Sequence, residues 1–468
     1  MEPRDRDTKS GRLIPRTGSS TGRAIVIGAY LRSREGRGEA RADTGARSTA
    51  ARLDEAVGLA RAIDLEVIES GIVSLNQLRP ATFVGKGKVD EIAGLVKSLE
   101  ASIVIMDCAL SPVQQRNLEK IWSAKVLDRT GLILEIFGRR ARTKEGALQV
   151  EHAHLTYQRS RLVRSWTHLE RQRGGYGFLG GPGETQIESD RRVISERIAR
   201  IEIEIEKTKR TRKLHRESRK RVPYPIVALV GYTNVGKSTL FNCLTRATVL
   251  SADMLFATLD PTLRAIHLPH GSRIILSDTV GFISDLPTML IAAFRATLEE
   301  VIEADIILHV RDVSHGDAQA QLHDVETVLR ELGIAPEDPR LIEVWNKIDQ
   351  LDADGRTRLQ NLAERQPVNR QPLLVSAMTG EGTGSLLSAI ETRLGESRPI
   401  FRLVLDVADG AGASWLHRHT EVMEKTVSDE GHLTFTVRVD PSNAGLVRAK
   451  FGTMIVSDSS SLNEKKAG

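Results

Sequence analysis

Residues 231–238 read Gly231-Tyr232-Thr233-Asn234-Val235-Gly236-Lys237-Ser238, directly behind the apolar run Ile226–Val230. A buried strand that turns through GxxxxGKS into a helix cradles the phosphates of a nucleoside triphosphate. The glycines let backbone N–H groups point inward at phosphate oxygens, and the helix N-terminus adds partial positive charge. Lys237 can reach the β- and γ-phosphates, and the Ser238 hydroxyl can ligate Mg2+. A chance Gly-rich turn would not need a strand before it and a helix after it.

The base is read further along the chain. The apolar run 341–345 leads into Asn346-Lys347-Ile348-Asp349, and 373–375 leads into Ser376-Ala377-Met378. Guanine presents two donors on one edge, which the Asp349 carboxylate can accept together. Adenine would turn a lone pair towards that carboxylate, and a site built for one polar edge rejects the other because its buried groups go unpaired. The Lys347 stem can lie over the purine face, and the Ala377 N–H can meet guanine O6. The expected substrate is therefore GTP rather than ATP.

Two intervening segments can sense the γ-phosphate. A strand at 274–277 precedes Asp278-Thr279-Val280-Gly281. Asp278 can hold Mg2+ through water, and the Gly281 N–H can bond the γ-phosphate, so this loop shifts when that phosphate leaves. Upstream, Phe256-Ala257-Thr258-Leu259-Asp260 is followed by Pro261 and Thr262. Thr258 is the expected second hydroxyl on Mg2+, with Thr262 as the alternative. Lys237, Thr258 and Gly281 are thus the residues expected to carry hydrolysis. Many GTPases orient the attacking water with a Gln directly after this glycine. Here Phe282 stands there, and a phenyl ring cannot polarise water.

These boxes resemble the translation-factor-like GTPases and, more narrowly, the HflX family. The narrower likeness rests on FATLDPT at 256–262, DTVGFI at 278–283 and Asp285-Leu286-Pro287 followed by LIAAFRATL at 290–298. GFLGGPGETQ at 177–186 and ESDRR at 188–192 add to it, and it runs from about residue 50 to about 395. The resemblance implies a monomeric GTPase that grips the large ribosomal subunit and its rRNA and separates stalled or stressed ribosomes into subunits. An RNA-associated GTPase acting in ribosome assembly or RNA modification, without splitting subunits, is the alternative. The resemblance also fits slow unaided hydrolysis at a site lacking the glutamine, with a partner or another group completing it. Alternatively, Phe282 packs inward and a local polar group does the work.

Composition limits the other classes. The two cysteines, Cys108 and Cys243, lie in apolar stretches without metal or disulfide spacing, as expected in a reducing compartment. No apolar run approaches the roughly 20 residues of a membrane span, and the Arg-rich N-terminus lacks a signal-peptide core. The tail Lys465-Lys466-Ala467-Gly468 carries no lipidation box, which argues against a membrane-anchored signalling GTPase. The expectation is a cytoplasmic protein without stable membrane insertion. Net charge is +5, a modest basic excess, so its distribution matters more than its total.

The elements that must position the boxes are those of an α/β chain. A P-loop GTPase domain at 223–397 is joined to a small N-terminal α/β domain at 23–140, a long helical, coiled-coil arm at 141–222 and a small C-terminal α+β domain at 398–468. Residues 1–22 read as a disordered tail. The N-terminal domain alternates strands at 23–29, 66–69, 102–106 and 125–128 with helical stripes, which predicts a parallel sheet. Gly85-Lys86-Gly87-Lys88 reads either as a phosphate contact or as a basic turn before a helix at Val89.

The arm is expected as helices at 143–172 and 184–219. Ile187, Ile194, Ile198, Ile201 and Ile205 recur at spacings of 7, 4, 3 and 4, facing Leu148, Leu155, Leu162 and Leu169. Between them, Tyr176 and Phe178 among glycines and arginines suit contact with RNA backbone and unstacked bases, or form a flexible connector. The C-terminal part predicts strands at 401–407 and 432–440 and helices at 411–425 and 441–451, with His417 and His419 as surface or packing histidines.

Overall fold

The computed structural model describes residues 22–32, 47–172, 182–219, 224–246, 255–256, 258–287, 298–367, 370–396, 399–427, 432–439 and 441–458. The N-terminal tail, the Gly-rich loop with Tyr176 and Phe178, Ala257, most of 290–298 and the last ten residues lie outside them.

Four strands, β1 (Arg23–Leu31), β2 (Glu66–Leu75), β3 (Ile103–Met106) and β4 (Lys125–Asp128), form a parallel sheet in the order β2-β1-β3-β4. Every residue of β3 is buried, as the strands of a sheet covered on both faces must be. The second strand is longer than its sequence suggests, because pairing with β1 continues to Leu31↔Leu75. Around the sheet pack α1 (Thr49–Arg61), α2 (Lys86–Ser98), α3 (Pro112–Trp122) and α4 (Arg129–Arg140). Helix α2 starts at Lys86 with Gly85 as its N-cap, so the two lysines lie in its first turn rather than in a turn ahead of Val89. Helix α3 begins with Pro112 and a Ser111–Gln114 capping box. The sequence predicts no helix at α4, whose Leu132, Ile133, Leu134, Ile136 and Phe137 are buried between the N-terminal sheet and the next domain while Arg139 is exposed.

The arm is a pair of long helices, α5 (Lys144–Gln172) and α6 (Pro182–Arg219). Ile198 and Ile201 are buried along the seam with Leu148. The pair is also tied by Arg197 Nε donating to Glu151 at 2.9 Å and by His152 against Glu202 at 3.2 Å.

The GTPase domain is a six-stranded sheet in the order β10-β9-β8-β5-β7-β6. Its elements are β5 (Ile226–Val230), α7 (Lys237–Thr245), β6 (Thr262–His267), β7 (Arg273–Asp278), β8 (Ile306–Asp312), α8 (Ala318–Glu331), β9 (Leu341–Asn346), α9 (Ala353–Glu364), β10 (Leu373–Leu374) and α10 (Thr383–Glu396). Among the described residues, only β6 pairs antiparallel in this sheet. Strand β5 lies between β7 and β8, so its C-terminal end opens into the crevice where doubly wound sheets bind ligands.

The C-terminal domain is an antiparallel sheet in the order β12-β13-β11-β14, built from β11 (Ile400–Asp406), β12 (Glu421–Val427), β13 (His432–Arg438) and β14 (Ile455–Asp458). Helices α11 (Gly410–His419) and α12 (Pro441–Phe451) accompany it. The helix expected over 411–425 is corrected here. It ends at His419, and 421–427 becomes a strand because β13 offers an open edge that pairs from Glu421↔Arg438 to Val427↔Leu433. His419 stacks on Trp415 at 4.4 Å and His417 meets Phe435 edge-on, so both histidines pack against rings.

Candidate functional site

The cradle begins where β5 ends. Gly236 adopts φ +92°, and a Cβ there would lie 2.4 Å from Asn346 Nδ2, so only glycine allows the loop to pass this close. Lys237 opens α7 and is buried, with Nζ donating to the carbonyls of Tyr232 at 2.7 Å and Gly231 at 3.2 Å. Burial pushes its pKa down to about 8, against the pull of Asp278.

Three oxygens from separate elements meet beside it. Ser238 Oγ donates to Asp278 Oδ2 at 2.7 Å, Thr258 Oγ1 donates to the same oxygen at 2.9 Å, and the two hydroxyls are 2.9 Å apart. Asp278 is fully buried, and burial raises its pKa while Ser238 and Lys237 pull it back. Its other oxygen, Oδ1, is buried without a hydrogen-bond partner among the described residues. Two hydroxyls beside one carboxylate with an unsatisfied oxygen suit a hard divalent cation. Thr262 opens β6 instead, opposite Asp278 in the ladder.

The segment after Asp278 closes over the cradle. Thr279 and Val280 are buried, and Thr279 Oγ1 donates to the Leu229 carbonyl. A side chain on Gly281 would meet Lys237 Nζ and Thr233 Cγ2 at 2.9 Å, so the glycine backbone lies directly against the phosphate loop. Phe282 is 1 % exposed, with its ring in the core. Its N–H donates to the Gly231 carbonyl at 3.1 Å and its carbonyl accepts from Thr233 N–H at 2.8 Å.

The residues expected to read the base assemble at the ends of β9 and β10. Asn346 is buried and joins the two halves of the site: Nδ2 donates to the Val235 carbonyl at 2.8 Å, and Oδ1 accepts from the Ala377 N–H at 3.0 Å. Ser376 Oγ donates to Asp349 Oδ1 at 2.6 Å and so orients that carboxylate. Lys347 has φ +66° and pairs with Asp312 at 2.7 Å, while Ile348 anchors the loop in the interior and Met378 stands exposed at the rim.

Four of the expected residues look elsewhere. Phe256 and Leu259 are buried, Phe256 edge-on to Phe137 at 4.7 Å. Asp260 faces the arm: Oδ2 accepts from the N–H groups of Arg142 and Thr143, and Oδ1 accepts from Thr143 Oγ1. The Tyr232 side chain leaves the cradle altogether. Its hydroxyl donates to Glu55 on α1 and accepts from the Ser284 N–H at 2.7 Å. Glu55 carries no sequence signal, since a lone Glu on a helix reads as solvated surface. A cavity of about 360 Å3 lies between α1 and the phosphate loop, with Glu55, Tyr232, Thr233 and Asn234 on its wall.

Comparison with known proteins places these parts in one lineage. Four family models match the chain in succession: "GTP-binding GTPase N-terminal" over residues 50–138, "GTP-binding GTPase Middle Region" over 140–219, "50S ribosome-binding GTPase" over 226–347 and "HflX C-terminal domain" over 361–461. The protein "GTPase HflX" of Magnetococcus marinus is 50% identical over 398 residues, 85% of this chain and 90% of the relative. Its Escherichia coli counterpart is 45% identical over 387 residues, 83% of this chain and 89% of the relative. A GTP-binding protein from Sulfolobus solfataricus solved with GDP aligns over 80% of this chain and 98% of its own at 22% identity, with TM-score 0.44.

Proposed function

The chain belongs to the HflX family of GTPases, and on that premise we propose that its GTP hydrolysis serves the large ribosomal subunit, separating stalled or stressed ribosomes into subunits. The observation that carries this reading is the match of residues 226–347 to the family described as a 50S ribosome-binding GTPase, over the segment that holds the phosphate loop, Thr258, Asp278 and Asn346. On the arm, the exposed Arg191, Lys207 and Lys209 support contact with the rRNA backbone, while Arg192, Arg200 and Arg210 pair with Glu196 and Glu206 on the same helix. Among the described residues no helix is long and apolar enough to cross a membrane. We place the protein in the cytoplasm and read it as a monomer in its free state.

In the proposed cycle, Asp349, held by Ser376, selects guanine, and the backbone of residues 231–238 wraps the phosphates. Ser238 and Thr258 would hold Mg2+, with Asp278 behind them; the ion, when bound, neutralises charge shared between the β- and γ-phosphates. Lys237 supplies a second cation there, and the Gly281 N–H meets the γ-phosphate. Phe282 packs inward, so the position after Gly281 gives the attacking water no polarising side chain. Unaided turnover is therefore slow, and docking on the subunit completes the site.

Co-sedimentation with purified large subunits in GTP and in GDP tests the first half of this reading, and light scattering of intact ribosomes tests the second. GTP-dependent pelleting, a fall in scattering and turnover that rises when large subunits are added are the expected results. Binding without any fall in scattering would move the function to assembly or RNA modification, and equal pelleting in both nucleotides would remove the ribosomal role.

A further inference from the structure

One carboxylate of the N-terminal domain reaches the phosphate loop through the Tyr232 side chain, which turns away from the nucleotide cradle. Glu55, on α1, is 9% exposed and shares its oxygens among four partners. Oε2 accepts from Arg47 Nη1 at 2.6 Å and from the Tyr232 hydroxyl. Oε1 accepts from Ser284 Oγ at 2.9 Å and from Arg129 Nη2. Tyr232 belongs to the phosphate loop, and Ser284 follows the Asp278–Gly281 segment by three residues. The two are also joined directly, since the Ser284 N–H donates to the Tyr232 hydroxyl. Arg129 closes the ring by donating to the Ser284 carbonyl at 3.0 Å while its other arm holds Asp107 at 2.6 Å. The Arg47 guanidinium stacks over the Tyr232 ring at 4.5 Å.

We propose that Glu55 is a positioning residue for GTP hydrolysis, supplied by the N-terminal domain, which fixes Tyr232 and Ser284 against each other and so holds the Gly281 N–H over the phosphate loop. The physical argument is one of preorganisation. Between Gly281 and Ser284 lie only Phe282, pinned in the core, and Ile283, also buried, so the segment is rigid once both ends are held. Its cradle-side end is held by the Thr233–Phe282 ladder bond and its far end by Glu55. A donor aimed at developing charge acts only if its aim is fixed before the reaction, and small misplacements cost large factors in rate. Both cations beside Glu55 lean on its charge, so its loss loosens the whole ring at once.

The test uses full-length protein in multiple-turnover assays, with and without large subunits. Tyr232→Phe keeps the ring and its stacking but removes the shared hydroxyl, and Glu55→Gln keeps shape but not charge. Each is expected to lower kcat about tenfold, with KM and fluorescent-GDP affinity unchanged within about twofold. The double variant should lose little more than either single one, because both act through one contact. Arg52→Gln, which breaks an exposed bridge to Asp285 across the same domain boundary, should leave kcat unchanged. Unfolding midpoints separate misfolding from mispositioning. Unchanged kcat in folded Tyr232→Phe, a rise in kcat, strictly multiplicative losses in the double variant, or an equal loss in Arg52→Gln would each overturn the proposal.

Discussion

Thr143 and Asp260 lock the helical arm to the segment that carries Thr258. Thr143 Oγ1 donates to Asp260 Oδ1 at 2.6 Å and its N–H donates to Oδ2 at 2.9 Å. The same Oγ1 accepts from the Gly146 N–H at 3.0 Å, so Thr143 caps α5 while Asp260 caps Thr143. The arm and the Thr258 segment thus share one hydrogen-bonded corner.

Removing that corner should be measurable without touching the cradle. Thr143→Ala loses the cap of α5 and the donor to Asp260 together, a cost of about 1 kcal/mol for a cap of this type. Urea unfolding of the variant should show a lower midpoint with an unchanged slope. No shift in midpoint would mean that water replaces both bonds.

Asp349→Asn exchanges a carboxylate that can accept twice for an amide that accepts once and donates. Guanine would then face a donor with a donor. GTP affinity should fall by roughly 100-fold or more, while xanthosine triphosphate, which presents a carbonyl at the matching position, should gain. Competition binding with the two nucleotides reads the exchange.

Lys237 gives a proton-linked signature. With its pKa pushed down to about 8 by burial, the amine of the nucleotide-free protein loses its proton as pH rises through that value. Phosphate beside it favours the charged form and raises the pKa again. GDP binding should therefore take up a proton at pH 9 and almost none at pH 7. Titration calorimetry in two buffers of different ionisation enthalpy measures the uptake; equal apparent enthalpies at pH 9 would contradict it.

His309, buried in β8, should shape the acid limb of stability. Burial pushes it down to about 4, so it stays neutral in the fold while the unfolded chain takes up its proton near pH 6.5. The unfolded state then binds more protons between those values, and stability falls as pH drops through this window by up to about 3 kcal/mol. Glu55 adds to the loss further down: burial opposes its charge, but Arg129 and Arg47 hold its pKa below the ordinary range, so its contribution goes only as pH falls through that lowered value. His309→Gln should flatten the slope between pH 6.5 and 4 and leave the steeper loss below it.

The sequence by itself marked the residues of the cradle and of the expected base pocket, because such sites are built from backbone turns and short loops whose residues are consecutive. Gly236, Lys237 and Ser238 must be neighbours to cap one helix, and Asn346 to Asp349 must follow one strand. Strands such as β3 and β5 were equally legible, since burial on both faces leaves an unbroken apolar run. What lay beyond reach was what distant packing partners decide. Helix α4 buries Arg129 and Glu135 along with its apolar residues, a burial that the residue types alone do not announce. Strand β12 follows a helical stretch and exists because β13 offers it an edge. Glu55 and Tyr232 are 177 positions apart, and neither residue type announces the other. Only the packing of the N-terminal sheet on the GTPase domain, through one shared apolar core, brings that carboxylate to the phosphate loop.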